Sequence, residues 1–303
     1  MKLLFLLASI FSIYSFEEFL TPLDKTGIEH FQIKNIDFIY VINLDRRPER
    51  WIRSQKALNA YGINPYRLSA YDGKKLTKEM IHALCVPLND EQIKWLNPSI
   101  YLEKTHKLVK YKQLKESNIL VNRSEAIFTN QNSLGAMGCT YSHLAILKDA
   151  IDSNYENILV LEDDFIIKKD PHLISDLIDE ANQEIGYGNW DILFLDNWHE
   201  IKAGNYPVLK RYTYSYPNFD PMDRNIMAYS IPRSTSLNSI LARFGTYSMV
   251  ISKIGAKKIF SQFQKNKVFH PIDVELFKIN ILNMFEVKEH YIKVDDSTSD
   301  TKN

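Results

Sequence analysis

Short apolar runs separated by stretches of helical periodicity restrict this chain to one kind of architecture. Residues Asp37 to Asn43 (DFIYVIN) are β-branched and aromatic, and they lead into Asp45-Arg46-Arg47-Pro48. Asp45 can cap a helix there and Pro48 can begin it, with an end near Tyr61-Gly62. Tyr66 to Ala70 reads as a second strand, stopped by the turn signal Tyr71-Asp72-Gly73. Leu144, Leu147 and Ile151 share a helical face, and Asn157 to Leu161 is a third apolar strand. Pro171 opens another helix, and Trp190 to Asp196 is a strand with acidic ends. Phe244 to Ile251 and the stretch from about Tyr291 to Val294 complete the set of strands. Between them Ser252 caps a helix, and the loop His270-Pro271-Ile272-Asp273-Val274-Glu275 leads into a last one. This alternation predicts an α/β fold, a mostly parallel twisted sheet flanked by helices on both faces. Ligands of such sheets lie beyond the C-terminal ends of the strands.

Two stretches stand outside the pattern. About 76–132 has helical fragments, Pro87 and Pro98 but no clean period, and reads as an inserted segment; about 197–243 is rich in tyrosine and proline and reads as a long irregular region, functional or mobile. The first residues, Met1-Lys2 and an apolar run from Leu3 to Tyr14 ending at Ser15, have the order of a secretory signal, so 1–15 is read as a leader and 16–303 as a single domain. The expected location is a secretory lumen or the exterior, and otherwise the cytoplasm or a membrane surface reached through the apolar segment. An Asn122-Arg123-Ser124 glycosylation sequon fits a lumen. Lys and Arg (37) balance Asp and Glu (37), so no overall field attracts a polyanion and nucleic acid is not an expected partner. Cys85 and Cys139 are too few for a disulfide framework and do not form a zinc-ligand pattern, so any metal is expected on oxygen ligands.

The chemistry concentrates at Glu162-Asp163-Asp164, three acids directly after an apolar strand. Negative charge buried side by side is costly without a cation. In extended geometry Glu162 and Asp164 share a side while Asp163 faces the other, which suits a hard divalent ion that also holds phosphate oxygens. Arg46, Arg47 and Arg50 follow the first strand at a helix N-terminus, an arrangement for a diphosphate or nucleotide. Neither a dinucleotide fingerprint nor a P-loop is present. Ser142 and His143 are adjacent on a helix and make a poor nucleophile and base pair; His143 either orients substrate or is a satisfied core histidine. His270 can complete a metal shell, and Asp273 can take a proton from an acceptor hydroxyl. Asp191 and Asp196, the strand-end acids, are the alternative bases.

Taken in order, these motifs resemble glycosyltransferase family 25, the family of bacterial lipooligosaccharide galactosyltransferases and procollagen galactosyltransferases. The matching residues are Val41-Ile42-Asn43-Leu44-Asp45-Arg46-Arg47-Pro48-Glu49-Arg50, Ala70-Tyr71-Asp72-Gly73, Gly138-Cys139 with Ser142-His143, and Leu159-Val160-Leu161-Glu162-Asp163-Asp164. Trp190-Asp191, Gly245-Thr246-Tyr247 with Ser252 and Gly255-Ala256, and Pro271 with Asp273 continue the series. The resemblance implies a GT-A-like fold, a UDP-sugar donor that is typically UDP-galactose, Mn2+ or Mg2+, and inversion at the anomeric carbon. It places Glu162, Asp163 and Asp164 in the metal and nucleotide motif, with Asn43, Leu44 and Arg50 lining the nucleotide pocket and Ala70 and Asp72 near base and ribose. The family often has Glu where Ala136 stands, so any contact made by that Glu is absent. The implied acceptor is a glycan or a hydroxylated protein, and the resemblance puts the acceptor side of the site in the irregular region of about 197–243. Two other readings of the same acids are a metal-dependent hydrolase of phosphate or sugar esters and a non-catalytic lumenal binding protein.

Overall fold

The computed structural model describes residues 15–28, 32–86, 133–198, 230–279 and 281–295, and the backbone of three short strands at 98–102, 107–110 and 127–129. The leader, the sequon at Asn122 and most of the two irregular stretches lie outside the described residues.

Strand β1 is Phe38–Asn43, followed by helix α1 (Pro48–Asn59), strand β2 (Tyr66–Ser69) and helix α2 (Lys78–Leu84). Strands β3 (Pro98–Leu102), β4 (Lys107–Lys110) and β5 (Ile127–Thr129) form a small antiparallel sheet of their own. Helix α3 (Leu134–Asp152) leads to β6 (Asn157–Glu162), β7 (Phe165–Ile167), α4 (Ile174–Glu180) and β8 (Ile192–Phe194). After β9 (Ser230–Pro232), β10 (Leu237–Ile240) and β11 (Ser248–Ser252) come α5 (Lys253–Asn266), α6 (Ile272–Leu276), β12 (Met284–Val287) and β13 (Ile292–Val294).

The main sheet has eight strands in the order β2-β1-β6-β11-β8-β12-β10-β9. β11 runs antiparallel to both neighbours, and β10 does the same between β12 and β9. The other strands share one direction, so the sheet is mixed and mostly parallel, the α/β, GT-A-like arrangement expected. β1 reads as a continuous apolar run because both of its faces are covered. Phe38, Tyr40 and Ile42 point into a core shared with α2, α3, α5 and α6, while Ile39 and Val41 point into a second core shared with α1 and α4. β6 divides likewise, Ile158 and Val160 to the first core and Leu159 and Leu161 to the second.

Several local expectations change. Pro48 does begin α1, but the cap position is Arg47 with no side-chain bond, because Asp45 is engaged across the edge by Arg67 (2.9 Å) and Ser69 (2.8 Å). Ser252 caps α5 as read, accepting from the Gly255 N–H at 3.1 Å. Phe244 to Tyr247 is not strand: β11 starts at Ser248, after Gly245 with φ of +87°. The region of His270 to Glu275 holds the short helix α6 rather than a loop before one. The last strand, β13, pairs with β7 in a separate two-stranded ribbon. Both cysteines are free thiols. Among the described residues no helix is long and apolar enough to cross a membrane.

Candidate active site

The C-terminal ends of β1, β2, β6 and β8 fall on one edge of the sheet, and β11, running against them, begins there. That edge therefore gathers Asn43, Ala70, Glu162 to Asp164, Asp196 and the Gly245 to Tyr247 turn. The three consecutive acids diverge. Glu162 accepts a hydrogen bond from Thr246 Oγ1 (2.9 Å), and its Oε1 lies 3.5 Å from His143 Nε2. Asp163 turns toward α1, where it accepts from Asn43 Nδ2 (2.6 Å) and from Arg50 (3.1 Å), while its carbonyl accepts from Ser54 Oγ (3.1 Å). Burial pushes its proton affinity up, and the Asn43 and Arg50 bonds oppose that. Asp164 is buried, and its Oδ1 has no hydrogen-bond partner among the described residues. Burial first, and then the neighbouring charges of Glu162 and Asp163, push its carboxyl pKa up to about 7.

The residues expected to bind a nucleotide separate into two groups. Arg46, Ala70 and Asp72 line a cleft of about 580 Å3 together with Tyr66, Arg67 and Lys75. Asp72 caps the turn at Gly73–Lys75 and pairs with Arg46 at 3.4 Å. Asn43, Leu44 and Arg50 do not line this cleft. Asn43 is a buried junction that donates to the Arg47 carbonyl (3.0 Å) and to Asp163, and accepts from Arg67 Nε (2.8 Å). Leu44 accepts the Arg47 N–H (2.8 Å) and shapes the turn. Arg50 is buried and pairs with Asp163 at 3.1 Å, which ties α1 to the acidic strand end. Ser142 is also structural: it accepts the Tyr71 N–H (2.9 Å) and donates to the Gly138 carbonyl (2.8 Å). A Cβ on Gly138 would stand 2.3 Å from the Tyr71 carbonyl oxygen and 2.8 Å from the Gly73 nitrogen. The Ala70-to-Gly73 and Gly138-to-Ser142 motifs are thus the two halves of one backbone contact that seats the cleft wall on α3.

The alternative bases lie at opposite ends of β8. Asp191 precedes the strand, fully buried, and its carboxylate receives Lys258 (2.7 Å) and the Asn283 N–H (2.8 Å). It is on the edge remote from the acids and cannot serve them. Asp196 is on the right edge but is committed to Arg243, with both side chains 2% exposed and a shortest contact of 2.9 Å, and to the Tyr247 hydroxyl (2.9 Å). His270 is buried against Lys278 and Glu275, so its ring is engaged away from Glu162 and Asp164 and does not complete their shell. Asp273 sits in the first turn of α6 and accepts the Gly245 N–H (3.0 Å) and the Val274 N–H (2.8 Å). Burial raises its proton affinity, those two bonds lower it, and the Glu162 charge raises it again. The positive φ of Gly245, where a Cβ would meet the Tyr247 ring at 2.2 Å, aims this N–H at Asp273.

Thr246, Tyr247 and Cys139 lie in the sequence motifs Gly245-Thr246-Tyr247 and Gly138-Cys139 without a role assigned to them there, and Arg243 lies in none; its pairing with Asp196 comes from the fold. Cys139 lies four residues before His143 on one face of α3, a spacing that predicts their contact.

A family model described as Glycosyltransferase family 25 (LPS biosynthesis protein) matches residues 36–276. The chain belongs to glycosyltransferase family 25. The matched span includes every element that builds this edge, from β1 to α6. Among similar proteins, the Glycosyltransferase 25 family member of Aedes aegypti is 28% identical over 176 residues, 57% of this chain and 22% of that protein. The Anopheles gambiae family member is 25% identical over 202 residues, 64% of this chain and 27% of its own length. Human Procollagen galactosyltransferase 2 is 28% identical over 163 residues, 52% of this chain and 20% of its length. The match therefore spans only about a fifth to a quarter of these curated relatives.

The residues present fit the divalent ion that the family implies. Asp164 presents a buried carboxylate oxygen that has no hydrogen-bond partner among the described residues, beside Glu162, and burial with the charges of Glu162 and Asp163 raises its proton affinity against the opposing charge of Arg50. Asp164 and Glu162 are the residues that would hold such an ion.

Proposed function

We propose that this chain is a metal-dependent, inverting glycosyltransferase that moves a hexose, galactose, from a UDP-sugar to a hydroxyl of a glycan or protein acceptor. The observation that carries the reading is the Asp164 carboxylate, whose buried Oδ1 has no hydrogen-bond partner among the described residues, beside Glu162 and on the same sheet edge as the cleft that Arg46, Ala70 and Asp72 line. Family membership supports sugar transfer, and the name of the human relative, a procollagen galactosyltransferase, supports galactose.

In this mechanism Arg46, Ala70 and Asp72 bind and orient the nucleotide. When bound at Asp164 and Glu162, Mn2+ or Mg2+ supplies positive charge for the departing diphosphate. Asp273 takes the proton of the attacking hydroxyl; its burial strengthens it as a base, and the Gly245 N–H fixes its carboxylate. Asp196 and Arg243 neutralise each other and hold the Tyr247 turn beside it. Direct displacement with one base gives inversion. We place the reaction in a secretory lumen, entered through a leader at 1–15, with the apolar segment as the means of any membrane association.

The test is a screen of UDP-sugars with Mn2+ against glycan and hydroxylysine-bearing peptide acceptors. Transfer from UDP-galactose is expected from the wild-type chain and none from Asp164→Asn of unchanged thermal midpoint. Release of free galactose to water without transfer, or turnover retained by Asp164→Asn, refutes the proposal.

A further inference from the structure

The Cys139 thiol, the His143 ring and the Glu162 carboxylate stand together, their ligand atoms all within 4.8 Å of one another. Cys139 and His143 are one helical turn apart on α3, and Glu162 meets them from the end of β6. A tetrahedral ion with bonds of about 2.0–2.3 Å sets its ligand atoms roughly 3.3–3.8 Å apart. His143 Nε2 and Glu162 Oε1, at 3.5 Å, already have that spacing. His143 is 2% exposed, and this Nε2 has no hydrogen-bond partner among the described residues. A buried imidazole nitrogen aimed at a thiol and a carboxylate, without a partner of its own, is what an ion would satisfy. Thr246 supports the group from outside it, its hydroxyl donating to Glu162 and facing Cys139. The surroundings are negative as well, since Asp164 and Asp273 act on Cys139 together with Glu162.

We propose that Cys139, His143 and Glu162 form a binding site for a borderline divalent ion such as Zn2+, adjoining the oxygen-ligand site at Asp164. Thiolate and imidazole select such an ion over Mg2+ or Mn2+. Binding converts the Cys139 thiol to a metal-bound thiolate and releases its proton to solvent. Glu162 belongs to both sites, so one ion draws it away from the other.

The test is titration of the metal-free 303-residue chain with Co2+ under a non-thiol reductant. A near-ultraviolet thiolate-to-cobalt charge-transfer band is expected at one equivalent, lost in Cys139→Ser and retained in Asp164→Asn. Thr246→Val, which leaves the ligand atoms in place, is expected to weaken Co2+ binding by roughly 10–100-fold. Because Cys139→Ser can disturb α3, a second measurement uses the unaltered protein: Zn2+ should protect Cys139 from alkylation, read by peptide mass spectrometry. Absence of the band at saturating Co2+, its survival in Cys139→Ser, its loss in Asp164→Asn, or alkylation of Cys139 unaffected by Zn2+ overturns the proposal.

Discussion

Replacing Asp196 with Asn tests whether this acid is a base or a brace. Its carboxylate and the Arg243 guanidinium are both 2% exposed, and Arg243 is enclosed further by the Phe194 ring, whose centroid lies 4.1 Å from the guanidinium carbon. Oδ2 carries the aligned hydrogen bonds from Arg243 (3.1 Å) and Tyr247 (2.9 Å); Oδ1, at 2.9 Å from Arg243, contributes attraction without hydrogen-bond alignment. Removing one member of such a pair strands the other charge in the interior, at a cost of about 3–5 kcal/mol. Asp196→Asn and Arg243→Met should each lower stability by that amount. The double variant strands no charge and keeps an acceptor for the Tyr247 hydroxyl. Two single changes at the low end sum to about 6 kcal/mol, whereas the double variant should lose less than about 3, a coupling of about 3 kcal/mol or more. Urea denaturation of the four proteins measures this through the midpoint and the slope. A double variant whose loss equals the sum of the singles within about 0.5 kcal/mol refutes the brace. An Asp196→Asn protein with wild-type stability and no turnover would instead restore Asp196 as the base.

Two further outcomes follow from the same geometry. The Asp164 carboxyl, held at about 7 against 3.8 for an ordinary Asp, makes the metal-free protein bind more protons folded than unfolded between those values. Its contribution is thus present below pH 4 and lost as pH rises through 7, by about 4 kcal/mol; denaturation from pH 4 to 8 should show this slope, and Asp164→Asn should flatten it. Gly138→Ala should cost about 1–3 kcal/mol, because the added carbon meets the Tyr71 carbonyl and must push the cleft wall outward. A raised KM for the UDP-sugar with kcat little changed is the expected kinetic sign, and an unaltered melting curve would contradict the contact.

The parts of the fold that are readable in sequence are those whose burial is uniform. β1 and β6 are apolar along both faces, and a strand so built has few alternatives. β9, β10 and β12 escape because their patterns are broken: β9 is largely exposed, β10 has Asn238 and Ser239 at its centre, and β12 carries a fully buried Glu286 bonded to Ser230 (3.0 Å). The site is readable to the same extent. A strand end places Glu162 to Asp164 on the ligand edge, but neighbouring elements decide where each carboxylate points. Asp191 and Asp196 flank one strand and look equivalent until its direction and its neighbours are known. Arg50 reads as a phosphate ligand after the first strand, and the fold pairs it with Asp163. Cys139 has no second cysteine at zinc spacing in the sequence, and its neighbours His143 and Glu162 come from a helix turn and a distant strand.

The reversed direction of β11 also bears on how this chain can change. β8 leaves the sheet at the same edge where β11 enters it, so the chain between Leu195 and Tyr247 starts and finishes beside the acids. The Asp196–Arg243 contact draws the two roots of that excursion together. Within that span β9 and β10 add to the far side of the sheet, β10 pairing with β12, so the chain returns to the acids through the sheet itself. An insertion in β9 or β10 would therefore break their pairing with the sheet, and the disturbance would reach the acids through the Asp196–Arg243 contact.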